Sequence, residues 1–212
     1  MRTLTIVGGG GFAGEVAAYL GDVEGLRDLK LRGYVALERS RLPILQSVPY
    51  LGQDEAVSFA DGDGMIVALG DCGLRRRVTA AMEAKGARLC TLVHPSAYVG
   101  PTATLEEGTV LCPFAFVGPG AVAERGVLVN TFASIGHDSR AGAFATLSPY
   151  AALNGFVTLG SECFLGSGAI VTPGLRVGEK CKIAAGAVVY ADAAPGSLLR
   201  GNPAEGRVIF KV

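Results

Sequence analysis

One histidine of this chain lies beside an acidic residue, in the run Ile135-Gly136-His137-Asp138. A neighbouring carboxylate can orient the imidazole and keep it basic, as a general base requires. Asn130 precedes His137 by seven residues, has no evident packing role and could share the same groove. The pair therefore predicts proton-transfer chemistry. The alternative is a solvent-exposed turn histidine with no chemical role.

A period of six residues runs through the second half of the chain, where every sixth residue from Val99 to Val189 is aliphatic. Two residues before each of these stands a small or apolar residue, such as Ala133 or Ala187. This period fits neither an α-helix nor an alternating strand, and it is typical of hexapeptide repeats. We expect a left-handed parallel β-helix with three hexads in each coil, so that residues 18 apart stack in adjacent coils.

Stacking at this interval makes two predictions about side chains. Gly155 follows His137 by 18 residues, so a bare backbone should lie next to the imidazole. A backbone N–H beside a base is a plausible oxyanion donor or thioester contact. Cys163 and Cys181 are also 18 apart and predict a ladder of buried reduced thiols, with a disulfide or a metal pair as the alternative.

The first 90 residues have a different rhythm, in which short apolar runs alternate with helical patterns. Such alternation argues for a small parallel α/β sheet, here a Rossmann-like domain over residues 1–90. Residues 91–212 would form the β-helix domain, in which residues 191–212 leave the register and cap the open end or line its outer face. The predicted elements are strands over Leu4–Val7, Leu31–Leu37, Val48–Leu51 and Met65–Leu69, and helices over Phe12–Leu20, Asp54–Phe59 and Leu74–Lys85.

A glycine-rich turn follows the first strand, in the run Gly9-Gly10-Gly11-Phe12-Ala13-Gly14. Such a turn lets backbone N–H groups and a helix dipole face a phosphate. No acidic residue ends the second strand in the way an NAD site needs, since Asp22 and Glu24 precede that strand and Glu38 comes late. The turn is either a tight structural turn or a ligand cradle, and a classical NAD-dependent dehydrogenase is not expected.

Composition excludes several classes of protein. Half of the residues are hydrophobic, 18% are charged and the net charge is zero, so no basic stripe exists to bind nucleic acid. The apolar stretches are short and interrupted by glycine, which argues against a membrane span, and the N-terminus lacks a signal peptide. The five cysteines form no CxxC pair and the two histidines leave no His-rich metal site, which fits a cytoplasmic protein without a metal.

Several short motifs, taken in order, resemble those of the hexapeptide-repeat sugar acyltransferases. This family includes sialic-acid O-acetyltransferases and the bacillosamine-pathway, perosamine and viosamine nucleotide-sugar N-acetyltransferases. The resemblance covers nearly the whole chain. It is carried by Ile6-Val7-Gly8-Gly9-Gly10-Gly11-Phe12-Ala13, Val67-Ala68-Leu69-Gly70-Asp71 with Arg75, His94-Pro95-Ser96-Ala97, Asn130-Thr131, Gly136-His137-Asp138 and Gly201-Asn202-Pro203-Ala204.

The resemblance implies a homotrimer of β-helices with active sites between protomers, and acetyl-CoA as co-substrate along the outside of each β-helix. It makes His137 the general base and Asp138 the residue that polarises it, and Asn130 helps to place the substrate. The CoA arm would pass Thr146, Gly155, Ser167 and Ala185. The nucleotide sugar would contact Gly9, Gly10, Gly11, Phe12, Gly70, Asp71 and Arg75 in the N-terminal domain.

These implications favour an N-acetyltransferase that acts on a nucleotide-linked 4-amino-4,6-dideoxy sugar. A sugar O-acetyltransferase and a non-catalytic sugar-nucleotide-binding scaffold remain alternatives, and the acyl chain stays open. The nucleotide also stays open, because Ala36 and Leu37 stand where relatives often carry paired aspartates. The second histidine, His94, lies before Pro95 and is interpreted as a capping or hinge residue rather than a substrate contact.

Overall fold

The computed structural model describes residues 3–23, 29–53 and 56–209. The chain divides into two compact units, Met1–Pro95 and Ser96–Val212. No helix in these described ranges is long and apolar enough to span a membrane.

The first unit is built on four parallel strands in the order β2-β1-β3-β4. The two central strands are apolar and almost fully buried, as expected for a parallel sheet covered on both faces. The strands are β1 (Thr3–Val7), β2 (Lys30–Val35), β3 (Gly64–Val67) and β4 (Arg88–Leu89), followed by β5 (Leu92–Val93), and the helices are α1 (Gly11–Tyr19), α2 (Pro43–Gln46) and α3 (Cys72–Glu83).

Local sequence explains where the two longer helices begin. The carboxylate of Asp71 accepts a hydrogen bond from the N–H of Leu74 at 2.7 Å and so caps α3. The helix α1 begins after Gly10 and has no side-chain cap. Both helices lie within two residues of their predicted bounds, because their apolar faces pack on the sheet.

Two predicted elements differ from the structure, and one short helix was not predicted. The strand expected near Val48–Leu51 is a single bridge between Tyr34 and Tyr50. Of the helix expected over residues 54–59, residues 54 and 55 lie outside the described residues and residues 57–59 have no regular structure. The helix α2 was not predicted, because it spans four residues and owes its start to Pro43.

The second unit is a β-solenoid of about six turns that matches a left-handed β-helix of hexapeptide repeats. Each strand has two residues, and strands 18 residues apart pair in parallel. Face I contains β8 (Val110–Leu111), β11 (Leu128–Val129), β14 (Thr146–Leu147), β17 (Phe164–Leu165) and β20 (Lys182–Ile183). Face II contains β6 (Tyr98–Val99), β9 (Phe116–Val117), β12 (Ser134–Ile135), β15 (Ala152–Leu153), β18 (Ile170–Val171) and β21 (Val188–Val189). Face III contains β7 (Thr104–Leu105), β10 (Val122–Ala123), β13 (Arg140–Ala141), β16 (Thr158–Leu159) and β19 (Arg176–Val177).

The faces meet at three corners, which we name by the faces they join. Corner I–II includes residues 130–133, 148–151, 166–169 and 184–187, corner II–III includes 118–121, 136–139, 154–157 and 172–175, and corner III–I includes 106–109, 142–145, 160–163 and 178–181. One residue in every six has a left-handed φ, from Gly108 to Gly186. This conformation turns the chain from one face to the next. Between the corners, the inward aliphatic side chains form continuous buried ladders.

The C-terminal segment extends the solenoid before it leaves it. Strand β22 (Ser197–Arg200) pairs in parallel with β20 and continues face I, and β23 (Glu205–Val208) returns antiparallel to it. Of the cap predicted over residues 191–212, residues 210–212 lie outside the described residues.

The five cysteines are free. Cys163 and Cys181 are buried in adjacent coils, and their thiols donate to the carbonyls of Gly178 at 3.0 Å and Ala194 at 3.1 Å. A hydrogen bond with the Cys163 side chain lowers the pKa of the Cys181 thiol to about 7.

Candidate active site

His137 and Asp138 lie together on corner II–III, between β12 and β13. Nδ1 of His137 is 2.9 Å from Oδ2 of Asp138, and both side chains are about half exposed. Asp138 has a φ of 56°, a left-handed conformation that Asp tolerates better than most residues. Because a carboxylate accepts the Nδ1 proton, the lone pair is assigned to Nε2, the atom that can act as a base.

The residues one coil further on enclose the imidazole, as the 18-residue interval predicts for Gly155. A Cβ at Gly155 would overlap Nε2 of His137 and would lie 2.6 Å from its Cε1. The ring of Phe156 meets the imidazole edge-on, with centroids 5.0 Å apart and an interplanar angle of 90°. Phe156 was missed in the sequence, although its position 18 residues after Asp138 would have located it.

The other β-helix residues implicated by resemblance lie elsewhere. Asn130, Ser167 and Ala185 are on corner I–II, and face II separates that corner from His137. Oδ1 of Asn130 accepts a hydrogen bond from the N–H of Thr131 at 2.7 Å. Thr146 is on face I and only 3% exposed. Within one chain, therefore, the structure brings together His137, Asp138 and Gly155 but not the remaining four.

A cavity of about 750 Å³ opens in the first unit at the carboxyl ends of β1 and β2. Its walls are mainly apolar, and α1 begins at its edge. It is lined by the glycine turn Gly8–Gly11, by residues 35–42 and by Val7, Leu69, Leu74 and Val78. Gly9, Gly10 and Gly11 thus lie where a ligand can reach them, as do Ala36 and Leu37, and the sequence did not reveal the wall formed by residues 38–42.

Ser40 fixes this wall against the glycine turn. Its Oγ donates to the carbonyl of Gly9 at 2.8 Å, and its N–H donates to the Tyr34 hydroxyl at 2.8 Å. The guanidinium of Arg39 lies 5.7 Å from the ring centre of Tyr50, within cation–π range. The loop therefore has a defined position beside the first turn of α1.

Four further residues that the resemblance implicates in sugar binding do not line this cavity within the described part of the chain. They are Phe12, Gly70, Asp71 and Arg75. Arg75 is 3% exposed and donates from Nη1 to the carbonyls of Leu69 at 2.7 Å and Gly70 at 3.2 Å. Burial lowers the pKa of its guanidinium. Arg75 and the capping residue Asp71 thus hold the loop between β3 and α3, which supplies Leu69 to the cavity, next to Leu74 from the first turn of α3.

His94 has contacts of a structural kind. Its ring meets Tyr19 edge-on at 5.5 Å, and Nε2 lies 3.7 Å from a carboxylate oxygen of Asp22. Across the described residues, no group of three or more His, Cys, Asp or Glu side chains could hold a metal ion.

Part of the β-helix matches a known family model. Residues 156–191 match the family model described as the hexapeptide repeat of succinyl-transferase. Among curated proteins, none matches the chain.

Solved structures are similar over nearly the whole length. The acetyltransferase domain of PglB from Neisseria gonorrhoeae is 33% identical, with a TM-score of 0.85, over 97% of this chain and 99% of that one. PerB from Caulobacter crescentus, solved with CoA and GDP-perosamine, is 31% identical, with a TM-score of 0.86, over 98% of each chain. WeeI from Acinetobacter baumannii, at 21% identity and a TM-score of 0.88 over 98% of this chain and 100% of that one, shares the fold. The chain therefore belongs to the hexapeptide-repeat family of sugar acyltransferases, and it is an acyltransferase.

Proposed function

We propose that this protein transfers an acetyl group from acetyl-CoA to the amino group of a nucleotide-linked 4-amino-4,6-dideoxy sugar, with His137 as the general base. The arrangement of His137 between Asp138 and Gly155 carries this proposal. It is supported by the similarity to PerB, whose structure holds CoA and GDP-perosamine, and to the PglB acetyltransferase domain, which was also solved with acetyl coenzyme A.

The chemistry follows from the two nitrogens of His137. Asp138 accepts the Nδ1 proton, so Nε2 can take a proton from the sugar amine as its nitrogen attacks the thioester carbonyl. A C–N bond forms, the tetrahedral intermediate collapses and the C–S bond breaks. The thiolate of CoA leaves and takes the proton back from Nε2. The carboxylate of Asp138 stabilises the imidazolium between these steps, and in this proposal the backbone N–H of Gly155 contacts the thioester oxygen.

The active form in this proposal is a homotrimer, because the implicated residues occupy two corners of each β-helix. Packing corner I–II of one copy against corner II–III of the next would bring Asn130, Ser167 and Ala185 to His137 and Gly155. The CoA arm would then pass along Ser167 and Ala185.

The outer surface of face II supports such packing. Its outward residues carry no charge and run along the described part of the solenoid, namely Tyr98, Phe116, Ser134, Ala152, Ile170 and Val188. Beside them, on corner I–II, the exposed rings of Phe114, Phe132 and Tyr150 stack at 4.9 and 5.1 Å. Exposed apolar patches of this kind mark protein interfaces.

The N-terminal unit is, in this proposal, a Rossmann-like domain that binds the nucleotide sugar. The cavity beside Gly9–Gly11 has the size of a small-molecule site, and the uncapped start of α1 favours phosphate. Ala36 and Leu37 give its wall apolar character. Both substrates are cytoplasmic metabolites, so we assign the enzyme to the cytoplasm.

A panel of nucleotide sugars tests the reaction, with released thiol as the readout in the presence of acetyl-CoA. Thiol release with 4-amino sugars and not with their 4-hydroxy counterparts is the expected result. Release with hydroxy sugars alone would make the protein an O-acetyltransferase. His137→Asn should lose at least about 100-fold in kcat, whereas the matched variant His94→Asn should retain it.

A further inference from the structure

Most corners of the solenoid close in the same way. A small inward residue donates its N–H to the carbonyl three residues earlier, as from Ala133 to Asn130 at 2.9 Å, and from Ala145 to Gly142 and Ala151 to Ser148 at 3.0 Å. The inward side chain in these corners is alanine, so only backbone closes the turn.

The corner formed by residues 154–157 is instead closed by hydrogen bonds to a side chain of the preceding coil. The N–H of Val157 donates to Oγ of Ser139 at 3.0 Å, and this hydroxyl donates to the carbonyl of Asn154 at 2.7 Å. The same Oγ lies 3.3 Å from the carbonyl of His137. Ser139 is 1% exposed, and its hydroxyl thus replaces the direct bond between Val157 and Asn154.

This corner contains Gly155 and Phe156, the two residues that contact the imidazole. Gly155 lies against Nε2 and Cε1 of His137, and Phe156 meets the ring edge-on. The N–H of Phe156 also donates to the carbonyl of His137 at 3.1 Å. The path of residues 154–157 therefore sets the distance between the imidazole and its surroundings, and one buried hydroxyl holds that path.

We propose that Ser139 is a positioning residue for acyl transfer, which holds Gly155 and Phe156 against His137. This proposal rests on the role of His137 proposed above. A buried hydroxyl is costly unless it is hydrogen-bonded, and packing alone needs only alanine here, as at Ala133 and Ala145. Ser139 makes bonds to both coils that meet at the catalytic histidine.

The test compares Ser139→Ala with Cys163→Ala. Cys163 occupies the equivalent inward position on another corner. Its thiol donates to the carbonyl of Gly178, 15 residues later, just as the Ser139 hydroxyl donates to the carbonyl of Asn154, 15 residues later. We expect Ser139→Ala to lower kcat by about 10-fold or more with the KM of the nucleotide sugar within about twofold. Cys163→Ala should lose comparable thermal stability with kcat unchanged.

Ser139→Cys supplies the rescue, because Cys163 already makes this bond with a thiol. Because a thiol is larger than a hydroxyl and a weaker donor, it should hold residues 154–157 less well, so its kcat should lie above that of Ser139→Ala and severalfold below that of the wild type. If Ser139→Ala does not fold, the kcat of Ser139→Cys is the test, and a wild-type value would overturn the proposal. A wild-type kcat in Ser139→Ala, or an equal loss in Cys163→Ala, would overturn it too. His137→Asn separates the two proposals, since its retention of turnover would refute the base itself, whereas an inactive His137→Asn beside a fully active Ser139→Ala refutes only the role of Ser139.

Discussion

Replacing Gly155 with alanine would put a methyl group where the imidazole of His137 lies. The new Cβ would be 2.6 Å from Cε1 and 3.1 Å from Cδ2, and real Cβ atoms essentially never come within 3.0 Å of another heavy atom. The backbone of Gly155 is outside the left-handed region, so alanine itself adopts it without strain. The ring of His137 must therefore move.

The size of the movement gives the size of the effect. Ordinary contact begins near 3.4 Å, so Cε1 must retreat by about 0.8 Å or the ring must rotate away. Either change misaligns Nε2 and lengthens the bond from Nδ1 to Asp138, which is now 2.9 Å. A misplacement of about 1 Å can cost about 100-fold in rate, or about 3 kcal/mol of barrier. Because the clashing atoms belong to a half-exposed side chain, unfolding should change by less than about 1 kcal/mol.

Steady-state thiol release and thermal unfolding separate these effects. Gly155→Ala should lose about 100-fold in kcat with little change in melting temperature. Gly86→Ala is the opposite control, because Gly86 follows α3 with a φ of +92° and its nearest non-neighbour atom would be 3.6 Å away. It should lose about 1 kcal/mol of stability and no activity. A kcat of Gly155→Ala within twofold of the wild type would refute the geometry assigned to His137.

Three further outcomes are expected. Asp138→Asn should lower kcat by about 100-fold without unfolding the protein, and wild-type turnover would remove Asp138 from the mechanism. The pKa of Cys181 in the folded protein is about 7 against an ordinary 9.0. The stabilisation that its thiolate gives the folded protein is therefore full above pH 9 and is lost as the pH falls through 7. Relative to Cys181→Ala, the wild type should therefore gain at most about 3 kcal/mol in denaturant unfolding between pH 7 and 9, and parallel pH curves would contradict this. If the protein is the proposed homotrimer, Phe132→Glu should give monomers in light scattering and Thr158→Glu on face III should not, and a trimeric Phe132→Glu would exclude the aromatic stack from the interface.

The six-residue period is enough to predict the solenoid and its register. A strict six-residue period fixes which residues point inward, and the 18-residue interval fixes which residues stack. For this reason the contact between His137 and Gly155 could be predicted, although the two residues are distant along the chain. The three longer strands and the two longer helices of the first unit were predicted from apolar runs, which are also local patterns.

The way these local pieces form sites depends on tertiary contacts that no local pattern predicts. The loop that walls the cavity has no period, and its position depends on Ser40 and Tyr34. The resemblance makes Arg75 a sugar contact, and the structure adds that it is buried and donates to a carbonyl of the preceding loop. Asn130 is only seven residues from His137, yet the chain turns a corner between them.

The same distinction applies to the centre of the site. Spacing alone places Asp138 beside His137, and Gly155 and Phe156 over them. It cannot show that Nδ1 reaches the carboxylate, that the Phe156 ring stands at 90° to the imidazole, or that Ser139 bridges residues 154–157. These features depend on side-chain rotamers and on hydrogen bonds between coils, which the packing of the whole solenoid selects.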